Sequence, residues 1–344
     1  MFLKELSDLP GVSGAETKVR NFLQEKLLEM GIKSFTDSLG NLFAVKEGKE
    51  KGKSTELMIS AHMDEVGLMI ASVEKSGHLR FYKVGGVDEK SLISKPVRVG
   101  AEGVYGVIGS KAIHLQKKGE REKPLEVNNL YIDIGAKNKE EAEKAVKLGD
   151  YVTFATEAEN WGGIFKGKAL DNRVGCAALL ELLSKEFETG FTAVFTAQEE
   201  VGMRGARVAA YRINPRGALV IETTAAADFA DVKDYSEGTT LGKGPAITMQ
   251  DESFIAHPFI LERLIEAAEK EKRPYQFHRY LGNFTDGGAF SSSRGGVMTG
   301  VISTPCRYIH TPASLVNLDD FRHLVEIAGS FIRSIGEKGL DYNE

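Results

Sequence analysis

Only two cysteines, Cys176 and Cys306, occur in 344 residues. Two thiols cannot build a disulfide framework or a cysteine-type zinc finger. They suit a reducing compartment, as small buried hydrophobes. A single tryptophan offers little aromatic surface for a carbohydrate cleft. Positive charge is not in excess: 44 basic residues face 49 acidic ones, for a net charge of −5. There is thus no basic field for nucleic acid. No run approaches the ~18 apolar residues that a membrane helix needs. The opening residues, Met1 to Asp8, carry Glu5 where a secretory signal would run apolar. These absences predict a cytoplasmic protein with neither nucleic acid nor membrane as partner.

What remains is a globular composition, 42% hydrophobic and 27% charged, in a chain long enough for roughly two domains. Residues 16–30 read as a helix with Val19, Phe22, Leu23 and Leu27 on one face. The charged run KEGKEKGK at 46–53 reads as a solvated hairpin tip. Residues 57–61 (LMISA) read as a short buried strand ending at His62-Met63-Asp64-Glu65. From Gly67 to about Asn160 the texture becomes short apolar runs split by turns such as KKGEREKP, the pattern of a small β-rich unit. One helix is predicted inside it, from an N-cap at Asn138 with Glu141 three residues on.

After Trp161, predicted helices at 172–186, 203–211, 258–272 and 318–336 alternate with strands at 191–197, 217–221 and 297–303. This alternation predicts an α/β fold, a mixed and largely parallel sheet flanked by helices. The domain reading is an α/β unit of residues 1–66 and 161–344, with residues 67–160 inserted as a β-rich domain.

Acids and histidines stand at the ends of these apolar elements. His62 and Asp64 follow one strand; Gln198-Glu199-Glu200 follow another; Glu222 follows a third. Asp171 precedes a helix, and His310 follows the 297–303 strand by a short loop. Ligand sites gather at the carboxyl ends of parallel strands, so these side chains are expected on one rim. Two histidines with several carboxylates are a donor set for zinc, cobalt or manganese, rather than for calcium or a thiolate metal. A dinuclear pair needs a bridging carboxylate and further ligands. His62, Asp171, Glu200, Glu222 and His310 make up that number. Glu199 remains free beside them, as a general base must. Asp64, two residues from His62, is placed to orient the ring. Each residue also has a plainer reading. Asp171 is first of all a helix N-cap, and Glu199-Glu200 is an ordinary acidic pair. His78, His114, His257, His278 and His323 lack this setting and read as structural or surface. Gly85-Gly86 and Gly287-Gly288 read as turn glycines.

Four ordered segments carry a resemblance: Ala61-His62-Met63-Asp64-Glu65-Val66-Gly67, Ala169-Leu170-Asp171-Asn172-Arg173, Gln198-Glu199-Glu200-Val201-Gly202, and Pro305-Cys306-Arg307-Tyr308-Ile309-His310-Thr311-Pro312. The chain resembles the dinuclear metallo-aminopeptidases of metallopeptidase family forty-two, the tetrahedral and glutamyl aminopeptidases often mislabelled endoglucanases. The likeness runs nearly end to end. It implies a zinc-peptidase-like fold and two divalent metal ions per subunit, zinc or cobalt, with manganese as a further candidate. It implies His62 and Glu222 on one metal, Glu200 and His310 on the other, and Asp171 as the bridge. Asp64 would orient His62 and Glu199 would be the general base. The substrates implied are peptides with a free N-terminus. The 67–160 insertion is similar in position to a dimerisation domain, and family members assemble dimers into twelve-subunit shells. Two departures stand. Glu222 occupies a position where many members carry Asp; it is a competent ligand with longer reach. The stretch Asp286 to Ser293 is unlike the familiar pattern and lies where substrate-lining loops are expected.

Other readings fit parts of the pattern. A related metal deacylase or carboxypeptidase would use a similar core and read a substrate carboxylate with Arg173 or Arg307. A glycoside hydrolase would pair Glu199 with Glu222 and leave both histidines idle. A non-catalytic binding protein would have no chemical use for Glu199. Without a legible charged specificity pocket, the lean is toward neutral aliphatic N-terminal residues such as leucine.

Overall fold

The computed structural model describes residues 2–50, 54–116, 119, 126–229, 238–278, 282 and 284–341. The chain opens with helices α1 (Leu3–Asp8) and α2 (Thr17–Glu29), followed by strands β1 (Ser34–Thr36), β2 (Leu42–Lys46) and β3 (Ser54–His62). Six strands then form a closed barrel: β4 (Gly67–Val73), β5 (Leu79–Val84), β6 (Pro96–Val99), β7 (Val104–Ser110), β8 (Leu130–Asp133) and β9 (Tyr151–Phe154). Helix α3 (Lys139–Ala145) lies between the last two, and Asn138 accepts from the Glu141 N–H at its start, as predicted. The chain continues with β10 (Glu159–Trp161), β11 (Ile164–Gly167), α4 (Leu170–Ser184), β12 (Gly190–Thr196), α5 (Arg204–Ile213) and β13 (Gly217–Ala225). It ends with β14 (Ala246–Thr248), α6 (Pro258–Lys270), β15 (Gln276–His278), α7 (Asp286–Ser291), β16 (Met298–Arg307), β17 (Ser314–Asn317) and α8 (Leu318–Lys338).

Eleven strands make one mixed sheet, in the order β1-β2-β12-β3-β13-β16-β17-β11-β10, with β14 and β15 joined at β16. Its centre, β12-β3-β13-β16, is parallel throughout. Alternation along these strands sends side chains to both faces. Leu57, Ile59, Leu219 and Ile221 enter one core with α4 and α8; Met58, Ala218, Val220 and Val301 enter a second core with α5 and α7. Helix α4 is buried nearly all round, between sheet and α8, so truncating Leu180 to Ala would cost about 2–5 kcal/mol. The barrel keeps a third core of its own, around Leu68, Leu79, Val97, Ile108, Leu130 and Ile132. The fold is the predicted α/β sheet with a separate β-rich unit.

Several local expectations differ. The 46–53 run is not a hairpin tip, because β12 inserts between β2 and β3 and pairs with both. Its last three residues lie outside the described ones, as does most of the KKGEREKP turn. Strand β13 does not stop before Glu222: it pairs with β16 as far as Ala225 and Cys306, which places Glu222 inside the ladder. Asp171 is not an N-cap. Its backbone is extended (φ −85°, ψ 106°), and the Asn172 side chain accepts the Gly175 N–H instead.

Candidate metal centre

Parallel strands β3, β12 and β13 all end toward one rim, and the site is built there. His62 is the last residue of β3 and pairs in register with Thr196 of β12. The turn after β12 delivers Glu199 and Glu200. Glu222 rises from β13, Asp171 from the non-helical start of α4, and His310 from the turn after β16. Ala169, Gln198, Tyr308 and His310 all hold positive φ. Such strained non-glycine backbone concentrates at functional sites.

Asp171 stands at the centre. Its Oδ1 lies 3.2 Å from His62 Nε2 and its Oδ2 lies 3.1 Å from His310 Nε2. Glu222 Oε2 is 3.5 Å from His62 Nε2, and Glu200 Oε2 is 3.3 Å from His310 Nε2. Two donor triads result, His62–Asp171–Glu222 and Asp171–Glu200–His310, sharing Asp171. Asn172 donates from Nδ2 to Glu222 Oε2 at 2.9 Å and holds that carboxylate in place. Asp64, fully buried, sits behind His62 with Oδ1 3.5 Å from Nδ1. It also accepts from the Glu199 N–H (2.9 Å), the Glu200 N–H (3.1 Å) and the Ser13 hydroxyl (2.6 Å).

Five carboxylates, those of Asp64, Asp171, Glu199, Glu200 and Glu222, stand against two histidines. Burial raises Glu200 to about 8, with Asp171 adding to it and His310 opposing. Burial likewise pushes Glu222 and Glu199 well above the carboxylate range. Burial works against ionisation of Asp171 too, but hydrogen bonds from His310 and His62 hold it well below its ordinary value. Burial opposes protonation of His310, yet Glu200 and Asp171 raise it to about 9. Glu200 Oε1 and Glu222 Oε1 are buried with no hydrogen-bond partner among the described residues. Unpaired oxygens in a dry site are costly, and a histidine–carboxylate donor set fits a borderline divalent metal. The residues therefore fit metal ions.

All seven residues expected at the site come together there. A cavity of about 540 Å³ opens over them, lined also by Gly86, Met203, Thr223, Thr224, Thr248, His278, Phe284, Thr285 and Ser303, among others. Sequence reading missed most of these. His278 read as structural, and Gly86 as a turn glycine. A Cβ at Gly86 would meet His310 Nδ1 at 3.1 Å, so the turn after β5 closes against the His310 ring. Register supplies the signal for the rest: Ser303 pairs with Glu222, and Thr248 with His278. The expected lining at Asp286 to Ser293 is corrected. Asp286 to Phe290 are buried in α7, and the lining falls on Gly282, Phe284 and Thr285 just before it.

The competing readings lose their anchors. Arg173 is fully buried and donates to Met63, Leu6 and Leu9 carbonyls and to Glu65. Arg307 is held by Asp228 at 2.7 Å. Neither lines the cavity, and no Lys or Arg does so among the described residues. Glu222 lies within ligand reach of His62 and Asp171, an arrangement for which a two-carboxylate glycosidase has no use.

The model of the M42 glutamyl aminopeptidase family matches residues 40–327. The glutamyl aminopeptidase of Lactococcus lactis is 31% identical, over 97% of this chain and 94% of its own. An aminopeptidase structure from the archaeon Desulfurococcus kamchatkensis superposes with a TM-score of 0.91 at 37% identity, covering 97% of this chain and 94% of that one. The TET1 peptidase of Pyrococcus horikoshii, described as assembling into a tetrahedron or a large octahedral shell, gives 0.82 at 32% identity over 95% and 97%. On these matches the chain belongs to the M42 glutamyl aminopeptidase family and is a metal-dependent aminopeptidase, a hydrolase that acts on the N-terminal peptide bond.

Proposed function

We propose that the enzyme works with two divalent metal ions per subunit, zinc or cobalt, with manganese as a further candidate. In this reading His62 and Glu222 would hold one ion and Glu200 and His310 the other, with Asp171 as the ligand common to both. The observation that carries it is Asp171, shared by both triads with one oxygen toward each histidine. Bound there, the metals would polarise the scissile carbonyl and bring the pKa of water toward neutrality.

The rest falls to the chain's own side chains. Asp64 fixes the His62 ring and, through the Glu199 and Glu200 N–H groups, the turn that carries base and ligand. One carboxylate thus sets the geometry of both. Glu199 lines the cavity and belongs to neither triad. It takes the proton of the attacking water and delivers it to the leaving amine. The substrates are peptides with a free N-terminus.

The test is hydrolysis of aminoacyl p-nitroanilides before and after chelation, with metal counted by elemental analysis. The expected result is two ions per subunit, with activity lost on chelation and restored by zinc, cobalt or manganese. Full activity with one ion, or activity that survives complete chelation, would sink the reading.

We further infer that residues 67–160 are an inserted dimerisation domain within a catalytic unit of residues 1–66 and 161–344. Dimers then build a cytoplasmic homododecamer. Tyr82, Tyr105, Val107, Ile113, Leu115 and Leu148 are exposed in this region and supply apolar surface for a partner subunit to cover. The shells described for the Pyrococcus relative support the same reading. Cys176 and Cys306 are free and buried, which suits a reducing compartment. Light scattering should give the mass of twelve subunits; a monomer would overturn the assembly.

A further inference from the structure

His278 is 3% exposed, and neither buried ring nitrogen has a hydrogen-bond partner among the described residues. It nonetheless lines the cavity of the metal centre. A buried polar group left unpaired is expensive, and here it stands where a substrate enters. Burial lowers its pKa, against the pull of Asp251, so the ring is neutral and carries one donor and one acceptor.

Register places this residue relative to the chemistry. Glu222 on β13 pairs with Ser303 on β16, which pairs with Ala246 on β14. Two residues along β14, Thr248 pairs with His278 on β15. Three strand spacings, roughly 14 Å of backbone, separate the Glu222 strand from the His278 strand. Glu222 and His278 line the same cavity from these two strands. Thr248 is buried at 2% exposure and lines the same wall, with Ser303 between it and the carboxylates.

We propose that His278 and Thr248 form the subsite for the side chain of the substrate's N-terminal residue, and that they select uncharged side chains ending in a hydrogen-bonding group, such as the amide of glutamine. This rests on the reading of the cavity as an aminopeptidase centre. An acidic side chain finds no Lys or Arg among the described lining residues. A cationic one finds the nearby Asp251 carboxylate already engaged, by the Ser253 N–H and hydroxyl and by the Thr285 hydroxyl. An aliphatic one leaves the imidazole unpartnered. Sites built to hydrogen-bond a substrate group discriminate against analogues without it far more than apolar pockets do. This reading replaces the sequence-based lean toward leucine.

The test compares glutamine-, leucine-, glutamate- and lysine-p-nitroanilides with the metal-loaded enzyme and its His278→Leu and Thr248→Val variants. Wild type should favour glutamine over each of the others by about tenfold or more in kcat/KM. His278→Leu should lose that preference, its glutamine-to-leucine ratio of kcat/KM falling about tenfold to near one; Thr248→Val should lose part of it. Free L-glutamine should protect the wild type in a thermal shift assay more than L-leucine does, and His278→Leu should erase the difference. If His278→Leu does not fold, Thr248→Val decides: equal effects on all four substrates refute the subsite. Preference for glutamate, lysine or leucine in the wild type refutes it as well. Cleavage of none of the four by the loaded wild type refutes the metal-centre reading itself.

Discussion

Two clusters of buried charge share the segment His62 to Glu65 and are built on opposite rules. Glu65 faces Lys168 at 2.8 Å and Arg173 at 3.4 Å, and it also accepts from the Gly11 N–H and the Thr153 hydroxyl. Lys168 and Arg173 spend their remaining donors on the Leu6, Leu9 and Met63 carbonyls. Every charge there has an internal partner. Thr153 belongs to the barrel and Leu6 and Leu9 to the N-terminal segment, so Glu65 ties three parts of the molecule together. Beside it, Asp64, Asp171, Glu199, Glu200, Glu222 and Asp286 crowd around two histidines, and three carboxylate oxygens, on Glu200, Glu222 and Asp286, have no hydrogen-bond partner among the described residues. The lesson is general. Buried charge that is paired internally holds architecture; a buried surplus of one sign is a site for the opposite charge.

The sharpest way to break this contrast is to remove a donor from the unbalanced cluster. His62→Ala and His310→Ala should lose bound metal and all measurable turnover, by elemental analysis and p-nitroanilide assay; normal occupancy would remove them as ligands. Glu199→Gln should lose about a thousandfold in kcat while retaining its metal. Unchanged activity in that variant would remove Glu199 as the base. In the balanced cluster the loss is stability. Glu65→Ala leaves two buried cations unpaired and should cost about 3–5 kcal/mol, read by denaturant melts. Glu222→Gln in the metal-free protein should instead melt at the same or a higher temperature, because it removes a carboxylate that burial penalises. Similar losses for both would erase the distinction. The smallest expected effect is at the thiols. Burial pushes Cys176 and Cys306 up to about 12, so at pH 8 the reactive thiolate is scarce. Neither should react with a disulfide reagent until the protein unfolds.

Legibility in the sequence followed the range of the interactions involved. The strand of residues 57–61 and the face of α2 were readable because periodicity is local. Val19, Leu23 and Leu27 are buried as their spacing predicts. The break at Gly67 was readable because short alternating strands differ from the apolar runs of a covered parallel sheet. Asp171 misled as an N-cap because its neighbour, Asn172, fills that role and frees the carboxylate. Glu222 was placed after a strand because nothing nearby announces that β16 extends the ladder to Ala225. Arg173 looked available to substrate, and only packing shows it buried under Glu65.

Which residue types the site needs was determined by the sequence alone: two histidines, a surplus of carboxylates, and apolar strands to carry them to a rim. Those are matters of donor chemistry and local pattern, written residue by residue. Which of those residues meet, and which extra ones join them, was decided by the tertiary structure. Ser303, Thr248 and His278 reach the same wall only through strand pairing, across gaps of tens of residues. Lone histidines and threonines carry no periodicity. Their meaning arises only when burial strips them of water and leaves a hydrogen bond unmade.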